Sequence, residues 1–93
     1  DSKRVSERVI KKIKSALSVA YSAKNNHTKV INELGPIFAQ KSWYQIADKT
    51  QRARYRNEIC LLLYKAYSAK GDSMQANKVN ELQKAEEQIR ITN

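Results

Sequence analysis

The side chains that most often perform catalysis are few in this sequence and stand far apart. His27, the one histidine, lies in a polar stretch without a carboxylate at helical spacing, so we interpret it as a solvated turn residue. Cys60, the one cysteine, would need a neighbouring base and a lowered pKa to act as a nucleophile. It lies instead in the most apolar segment of the chain, which favours a buried structural thiol. Glu86 and Glu87 are adjacent, so on a helix their carboxylates point in different directions. The sequence predicts a protein that binds a partner and is not an enzyme.

Metal and cofactor sites are not expected either. One cysteine and one histidine cannot complete a structural zinc site, and Gly35 and Gly71 are too far apart to form a phosphate-cradling loop. No apolar run approaches the roughly 20 residues needed to cross a bilayer, so we expect no integral membrane segment. A single cysteine excludes an internal disulfide and favours a reducing intracellular compartment, the cytoplasm or the nucleus.

Positive charge is the strongest compositional signal. The 93 residues include 18 Lys and Arg against 9 Asp and Glu, a formal net charge of +9. Residues 1–71 carry 15 basic and 5 acidic side chains, whereas residues 72–93 carry 3 basic and 4 acidic ones. The excess of positive charge therefore belongs to the first three quarters of the chain, where an anionic partner would be attracted.

The first basic cluster lies near the N-terminus, opposite the apolar side of a predicted helix. It comprises Lys3, Arg4, Arg8, Lys11, Lys12 and Lys14. Glu7 is the one acidic residue among them, although a solvated helical face usually mixes charges of both signs. Like charges at this spacing repel one another, and an anionic partner would relieve that repulsion. The alternative is a solvated face that only keeps the protein soluble.

The second basic cluster lies between residues 41 and 56 and includes aromatic side chains. Its basic members are Lys41, Lys49, Arg52, Arg54 and Arg56, and its aromatic members are Trp43, Tyr44 and Tyr55. Arginine can bind phosphate through two parallel hydrogen bonds, and aromatic rings can stack on bases. On a helix, Arg52 and Arg56 lie about 40° apart and form the expected phosphate pair, whereas Arg54 points elsewhere. The alternative is that Tyr55 and one of the other two rings belong to the core, with the arginine stems covering them.

Four amphipathic segments predict an all-α fold, a compact antiparallel four-helix bundle that forms one domain over residues 1–93. The expected helices cover residues 5–24, 28–41, 50–70 and 72–91. Gly35-Pro36 should break or kink the second helix, because proline lacks the amide N–H and crowds the preceding turn. Ser42-Trp43-Tyr44-Gln45 has the form of a capping box, and Asp48 and Thr50 are further candidate caps. Asp72 is the candidate N-cap of the fourth helix.

The third helix should form the centre of the bundle. Its main apolar stripe consists of Tyr55, Ile59, Leu62 and Ala66, and Gly71 is suited to end it. Residues 59–64 are apolar all around the helix, which is typical of a central helix or of one that meets a partner. Leu61 and Tyr64 fall away from the main stripe and are the candidate apolar anchor for a partner. The fourth helix has a thin apolar face and should be peripheral.

A short repetition relates the two halves of the chain. Ala20-Tyr21-Ser22-Ala23-Lys24 recurs as Ala66-Tyr67-Ser68-Ala69-Lys70, and each copy precedes a polar turn and another predicted helix. A duplication would give two related helical hairpins. Chance similarity between amphipathic helices is the alternative.

Three classes of partner fit these features. The leading hypothesis is a module that contacts nucleic-acid phosphates through the first basic cluster and through Lys41, Lys49, Arg52 and Arg56. It would have little sequence specificity, because no recognition motif is present. The second hypothesis is an adaptor that docks an acidic or amphipathic protein segment on Leu61 and Tyr64. The third is a peripheral binder of an anionic membrane, or a bundle of the bacteriocin-immunity type, although no motif ties the chain to that family.

Overall fold

Four helices and one short helical turn make up the described chain. The structure, a computed structural model, describes the backbone of residues 2–92 and the side chains of residues 3–86. The helices are α1 (Ser2–Ala23), α2 (His27–Gln40), α3 (Lys49–Ala69) and α4 (Ser73–Thr92), and a 3-10 turn (Ser42–Gln45) lies between α2 and α3. No strand occurs within residues 2–92. The predicted all-helical bundle is thereby confirmed.

Short side chains cap three of the helices at their N-termini. The carboxylate of Asp48 accepts hydrogen bonds from the backbone N–H groups of Thr50 at 2.8 Å and Gln51 at 3.1 Å. Asp72 accepts one from Gln75 at 3.2 Å. The Asn26 side chain caps α2 in the same way and places its first residue at His27. These contacts satisfy N–H groups that have no partner within the helix, and the caps predicted at Asp48 and Asp72 are confirmed.

The predicted capping box at Ser42–Gln45 does not form. Lys41 precedes the 3-10 turn with a φ of 50° and makes no side-chain cap, while the Ser42 side chain is buried. The N–H of Lys41 instead bonds back to α2, at the carbonyl oxygens of Ile37 and Phe38. A left-handed residue at this point ends one helix and begins the next turn, so the segment works as a C-cap.

Helix α2 runs without a break through Gly35 and Pro36, which corrects the interruption expected there. Pro36 removes the N–H that would bond to the carbonyl four residues earlier, that of Asn32. Asn32 and Pro36 are both exposed, so water can satisfy this carbonyl on the outer side of the helix. The inner side of α2 is held by the buried side chains of Val30, Leu34 and Ile37.

Each helix packs mainly on its neighbours in the chain: α1 on α2, α2 on α3, and α3 on α4. Three-residue turns join α1 to α2 and α3 to α4, so each of these pairs is antiparallel. In the part of the chain that the structure describes, α4 packs on α3 and reaches neither α1 nor α2. The resulting body is flat, with extents of 39 × 31 × 17 Å.

The core contains side chains from all four helices and from the 3-10 turn. The largest fully buried ones are Trp43, Ile13, Leu34, Ile46, Ile59, Leu63 and Val79. On α3 the buried side is centred on Ile59 and Leu63, whereas Leu62 is half-buried. The predicted stripe is buried at Tyr55, Ile59 and Ala66, while Leu62 packs against the core and stays partly exposed. Leu63, which the stripe omitted, is the fully buried leucine of this apolar stretch. Helix α4 contributes Val79 and Ala76 to the buried set.

The repeated segments have the same buried position but different turns. Ala20 and Ala66 are both buried. Lys24, the last residue of the first copy, adopts a φ of 51°, whereas in the second turn the left-handed residue is Gly71, one position after the copy, with a φ of 77°. The N–H of Asp72 then bonds to the carbonyl of Tyr67 at 2.9 Å, the closing bond of a Schellman turn. The duplication stays a prediction.

Candidate anion-binding surface

The outer face of α1 carries the first basic cluster, and all six of its side chains are exposed. These are Lys3, Arg4, Arg8, Lys11, Lys12 and Lys14. Lysines and arginines take this position because Val9, Ile13 and Leu17 turn the opposite face of the helix into the core. Among residues 3–86 the ion pairs within 4 Å lie on α3 and between α3 and α4, and none involves Arg4, Arg8, Lys11, Lys12 or Lys14. These five cations form a surface of like charge in which Glu7, also exposed, is the one acidic residue.

In the second basic cluster, three cations are open to solvent. Lys41, Lys49 and Arg54 are exposed, and Arg54 pairs with Glu58 one turn further along α3 at 3.6 Å. Arg52 is half-buried, and its guanidinium donates to the carbonyl oxygens of Ile46 at 3.0 Å and Ala47 at 3.3 Å. Arg52 therefore fixes the segment that leads into α3, and only part of its guanidinium is available to a ligand.

Arg56 is buried, which removes it from the exposed pair expected with Arg52. Its guanidinium donates to the side-chain oxygens of Gln83 and Asn57, each at 3.3 Å, and lies 3.7 Å from the carboxylate of Glu86. The same carboxylate accepts a hydrogen bond from the hydroxyl of Tyr44. Since α4 covers this side of α3, the spacing of the arginines along α3 could not show that Arg56 points inward.

Two of the three aromatic residues of the cluster belong to the core, as the alternative interpretation held. Trp43 is fully buried and Tyr55 is buried, whereas Tyr44 is about half exposed. The Trp43 ring packs against the rings of Phe38 and Tyr44, with centroid separations of 6.0 and 5.9 Å. Its indole N–H is buried without a hydrogen-bond partner among the described residues. Of the three aromatic residues, Tyr44 is the one exposed to solvent.

Two contacts place α1 alongside the first half of α3. Near the start of α1, the Ser6 hydroxyl accepts a hydrogen bond from the N–H of Ala47 at 3.1 Å. Near its end, the Tyr21 hydroxyl donates to Glu58 at 3.5 Å. Both sequences advance in the same direction between these points, so the two helices run parallel. Lys14 lies two turns before Tyr21 on the same side of α1, so this member of the first basic cluster lies on the edge of α1 that borders α3.

A depression of about 780 Å³ lies beside the first half of α3. Its charged lining consists of Lys49, Arg52, Arg54, Arg56, Glu58 and Glu86, and Tyr44 closes one side. Glu86 and Gln83, which bind Arg56 there, were not predicted as part of a site. The sequence did contain a sign of their position. Gln83 and Glu86 follow Val79 by four and seven residues, and residues at this spacing lie on the same side of a helix.

Leu61 and Tyr64, the candidate apolar anchor, are exposed at 54% and 42%. They border a second, smaller depression of about 160 Å³ between α3 and α4, whose other lining includes Asn57, Asn80 and Gln83. Cys60 lies at its base and is itself buried. Burial raises the pKa of the Cys60 thiol to about 11, although the positive charge of Arg56 acts in the opposite direction. This thiol is therefore protonated at neutral pH.

Metal sites and membrane-spanning helices do not occur among the described residues. They contain no group of three or more His, Cys, Asp or Glu side chains arranged to hold a metal ion. None of their helices is both long and apolar enough to cross a membrane. In comparisons with protein-family models, with curated proteins and with solved structures, nothing matches this chain.

Proposed function

We propose that this protein binds the phosphate backbone of nucleic acids, with little preference for sequence, through the outer face of α1 and the adjoining cations of α3. The observation that carries this proposal is a row of exposed cations on α1 that form no ion pair among residues 3–86, namely Arg4, Arg8, Lys11, Lys12 and Lys14. Small anions of the buffer associate with such side chains, and small cations associate with the phosphates of a nucleic acid. When the nucleic acid binds the protein, both kinds of counterion are released into the solvent. That release drives binding and makes it weaken steeply as salt rises.

The position of α3 supports the same proposal. Arg54 is exposed near Glu58, which Tyr21 of α1 contacts, and Lys49 is exposed at the first residue of α3. The cations of both helices therefore contribute to one long-range field. Tyr44 offers a half-exposed ring at the edge of this surface. A single ring and several phosphate contacts fit a binder that follows the backbone and reads few bases.

An adaptor for a protein segment is the second candidate, and the exposed pair Leu61 and Tyr64 favours it. Both side chains border the small depression between α3 and α4, where an apolar side chain of a partner could insert. The membrane hypothesis has less support. An interfacial helix must turn its apolar face to the lipid, whereas Val9, Ile13 and Leu17 of α1 are packed in the core.

The test is a fluorescence titration with a generic DNA duplex and a single-stranded oligonucleotide at several salt concentrations. Changing Lys11 and Lys14 to Gln should weaken binding to every sequence alike. The slope of log affinity against log salt should become shallower by about two, roughly one unit for each phosphate that the protein no longer neutralises. Both lysines are exposed, so folding should be unaffected.

The matched control changes Lys78 and Lys84 to Gln. Both lysines are exposed on α4, outside the proposed surface. Their substitution removes the same amount of charge, so the slope of log affinity against log salt should change little. If neither oligonucleotide binds at low salt, or if both double variants lose affinity equally, the proposal is wrong. The adaptor would instead respond to Leu61→Ala, with only a weak dependence on salt.

A further inference from the structure

We propose that the depression beside α3 is a binding site for a phosphate group, and that the carboxylate of Glu86 occupies this site while the ligand is absent. The inference deepens the proposed function and rests on it, since the phosphate would be one of a bound nucleic-acid backbone. A phosphate from another source, free in solution, would satisfy the same chemistry. The experiment below separates the two.

The geometry begins with the donors that surround Glu86. One carboxylate oxygen lies 3.7 Å from a terminal nitrogen of Arg56, and the other accepts the hydroxyl hydrogen of Tyr44. Arg56 is held in place by its other two hydrogen bonds, to Gln83 and Asn57. Its remaining terminal nitrogen therefore points at a fixed position, which an oxyanion now fills.

The charge of the depression favours a phosphate over the carboxylate. Four cationic side chains line it, namely Lys49, Arg52, Arg54 and Arg56, against two carboxylates. Glu58 is engaged by Arg54 at 3.6 Å, so Glu86 is the anion associated with Arg56. A phosphate carries more charge and more acceptor oxygens than a carboxylate, and guanidinium groups match its geometry. Two cations remain in excess after both carboxylates are counted.

Displacement of Glu86 is possible because its side chain can leave by rotation about its own bonds. Its side chain is 16% exposed and therefore borders the solvent, while that of Arg56 is 7% exposed beneath it. Rotation of Glu86 would uncover the Arg56 guanidinium without moving α3. Glu86 thus acts as an internal competitor that lowers the affinity of the site for external anions.

The experiment is an NMR titration of the whole protein with inorganic phosphate at constant ionic strength. In the wild type, phosphate should shift the side-chain Nε–H signal of Arg56 and the carboxyl carbon signal of Glu86 at the same concentrations. Glu86→Gln should bind phosphate roughly tenfold more tightly, because a like charge close to the ligand is removed. Glu81→Gln is the control, since Glu81 is exposed on α4 and its loss changes the net charge equally. That variant should bind phosphate as the wild type does.

Either of two results would overturn the inference. One is that the Arg56 and Glu86 signals of the wild type stay unmoved at saturating phosphate, an outcome that requires no variant to fold. The other is that Glu86→Gln and Glu81→Gln change the affinity equally. The salt-dependent oligonucleotide titration tests the proposed function and not the phosphate site. If phosphate binds at Arg56 but no oligonucleotide binds, the site is supported and the nucleic-acid function is rejected. Oligonucleotide binding without any effect on Arg56 would reject the site alone.

Discussion

Arginine side chains only two or four residues apart serve different purposes in this protein. Arg54 is 74% exposed and makes a one-turn ion pair with Glu58 at 3.6 Å, a kind of contact that contributes little to stability. Arg56 is buried with three polar partners, so removing any one of them leaves a desolvated charge less well satisfied. Two of these partners, Gln83 and Glu86, lie far along the chain on α4, so the burial of Arg56 depends on the packing of α4 against its side of α3.

Burial at neighbouring positions of α3 gives a direct test at this scale. Leu63 is fully buried, whereas Leu61 is 54% exposed. Leu63→Ala should lower the free energy of unfolding by about 2–5 kcal/mol, because it removes core packing and leaves a cavity. Leu61→Ala is the matched control and should change it by less than about 0.5 kcal/mol. Urea denaturation of both variants measures the difference, and equal losses would mean that the buried side of α3 is misassigned.

At the scale of helices, the ends were more predictable from sequence than the faces. Asp48 and Asp72 cap α3 and α4 because a cap depends on residues two or three positions away. The choice between Leu62 and Leu63 depends on how the neighbouring helices surround α3, which no local pattern contains. The same reason explains why the basic face of α1 was predictable while Arg56 was not. One face of α1 is plainly polar, but α3 at Arg56 is covered by a distant helix.

Replacing glycine by alanine should change the stability of the protein in opposite directions at Gly35 and at Gly71. Gly35 lies inside α2, and a Cβ added there would meet nothing within 4 Å. Gly35→Ala should therefore stabilise the protein by about 0.5–1 kcal/mol, since alanine loses less conformational entropy in a helix. Gly71 has a φ of 77°, so Gly71→Ala should destabilise by roughly 1–2 kcal/mol. Thermal or urea unfolding decides the signs, and a loss at Gly35 would mean that α2 is not continuous there.

At the scale of the whole molecule, the helices differ in how many neighbours they have. Within the described residues α3 is the one helix on which α4 packs, and a side-chain hydrogen bond from Tyr44 adds one contact to the 3-10 turn. Helix α1 packs on α2, the 3-10 turn and α3. A helix held by one neighbour can detach while the remainder stays folded. Cooperative unfolding of α4 should therefore require less free energy than unfolding of the whole protein.

Native-state hydrogen exchange can measure this difference. Backbone amides of residues 76–82 should exchange faster than those of residues 59–66 in α3, after correction for intrinsic rates. Residues 9–17 of α1 are the control. Like α4, α1 stands at one end of the helix order, but it packs on more neighbouring elements. Protection of α4 equal to that of α3 would show that the helices open only together.

The parallel course of α1 and α3 has a consequence for how the protein meets another molecule. Each of these helices carries most of its cations in its first half, with Lys14 and Lys65 as the exceptions, and the contacts at Ser6 and Tyr21 put the two first halves at the same end of the molecule. The outer face of α1 continues beyond Lys14 with Ser15, Ser18 and Ser22, which are uncharged. Positive charge is therefore distributed unevenly along the length of these two helices. A polyanion at a distance would exert a torque that turns the crowded end toward it before contact, and added salt would abolish this alignment by screening it.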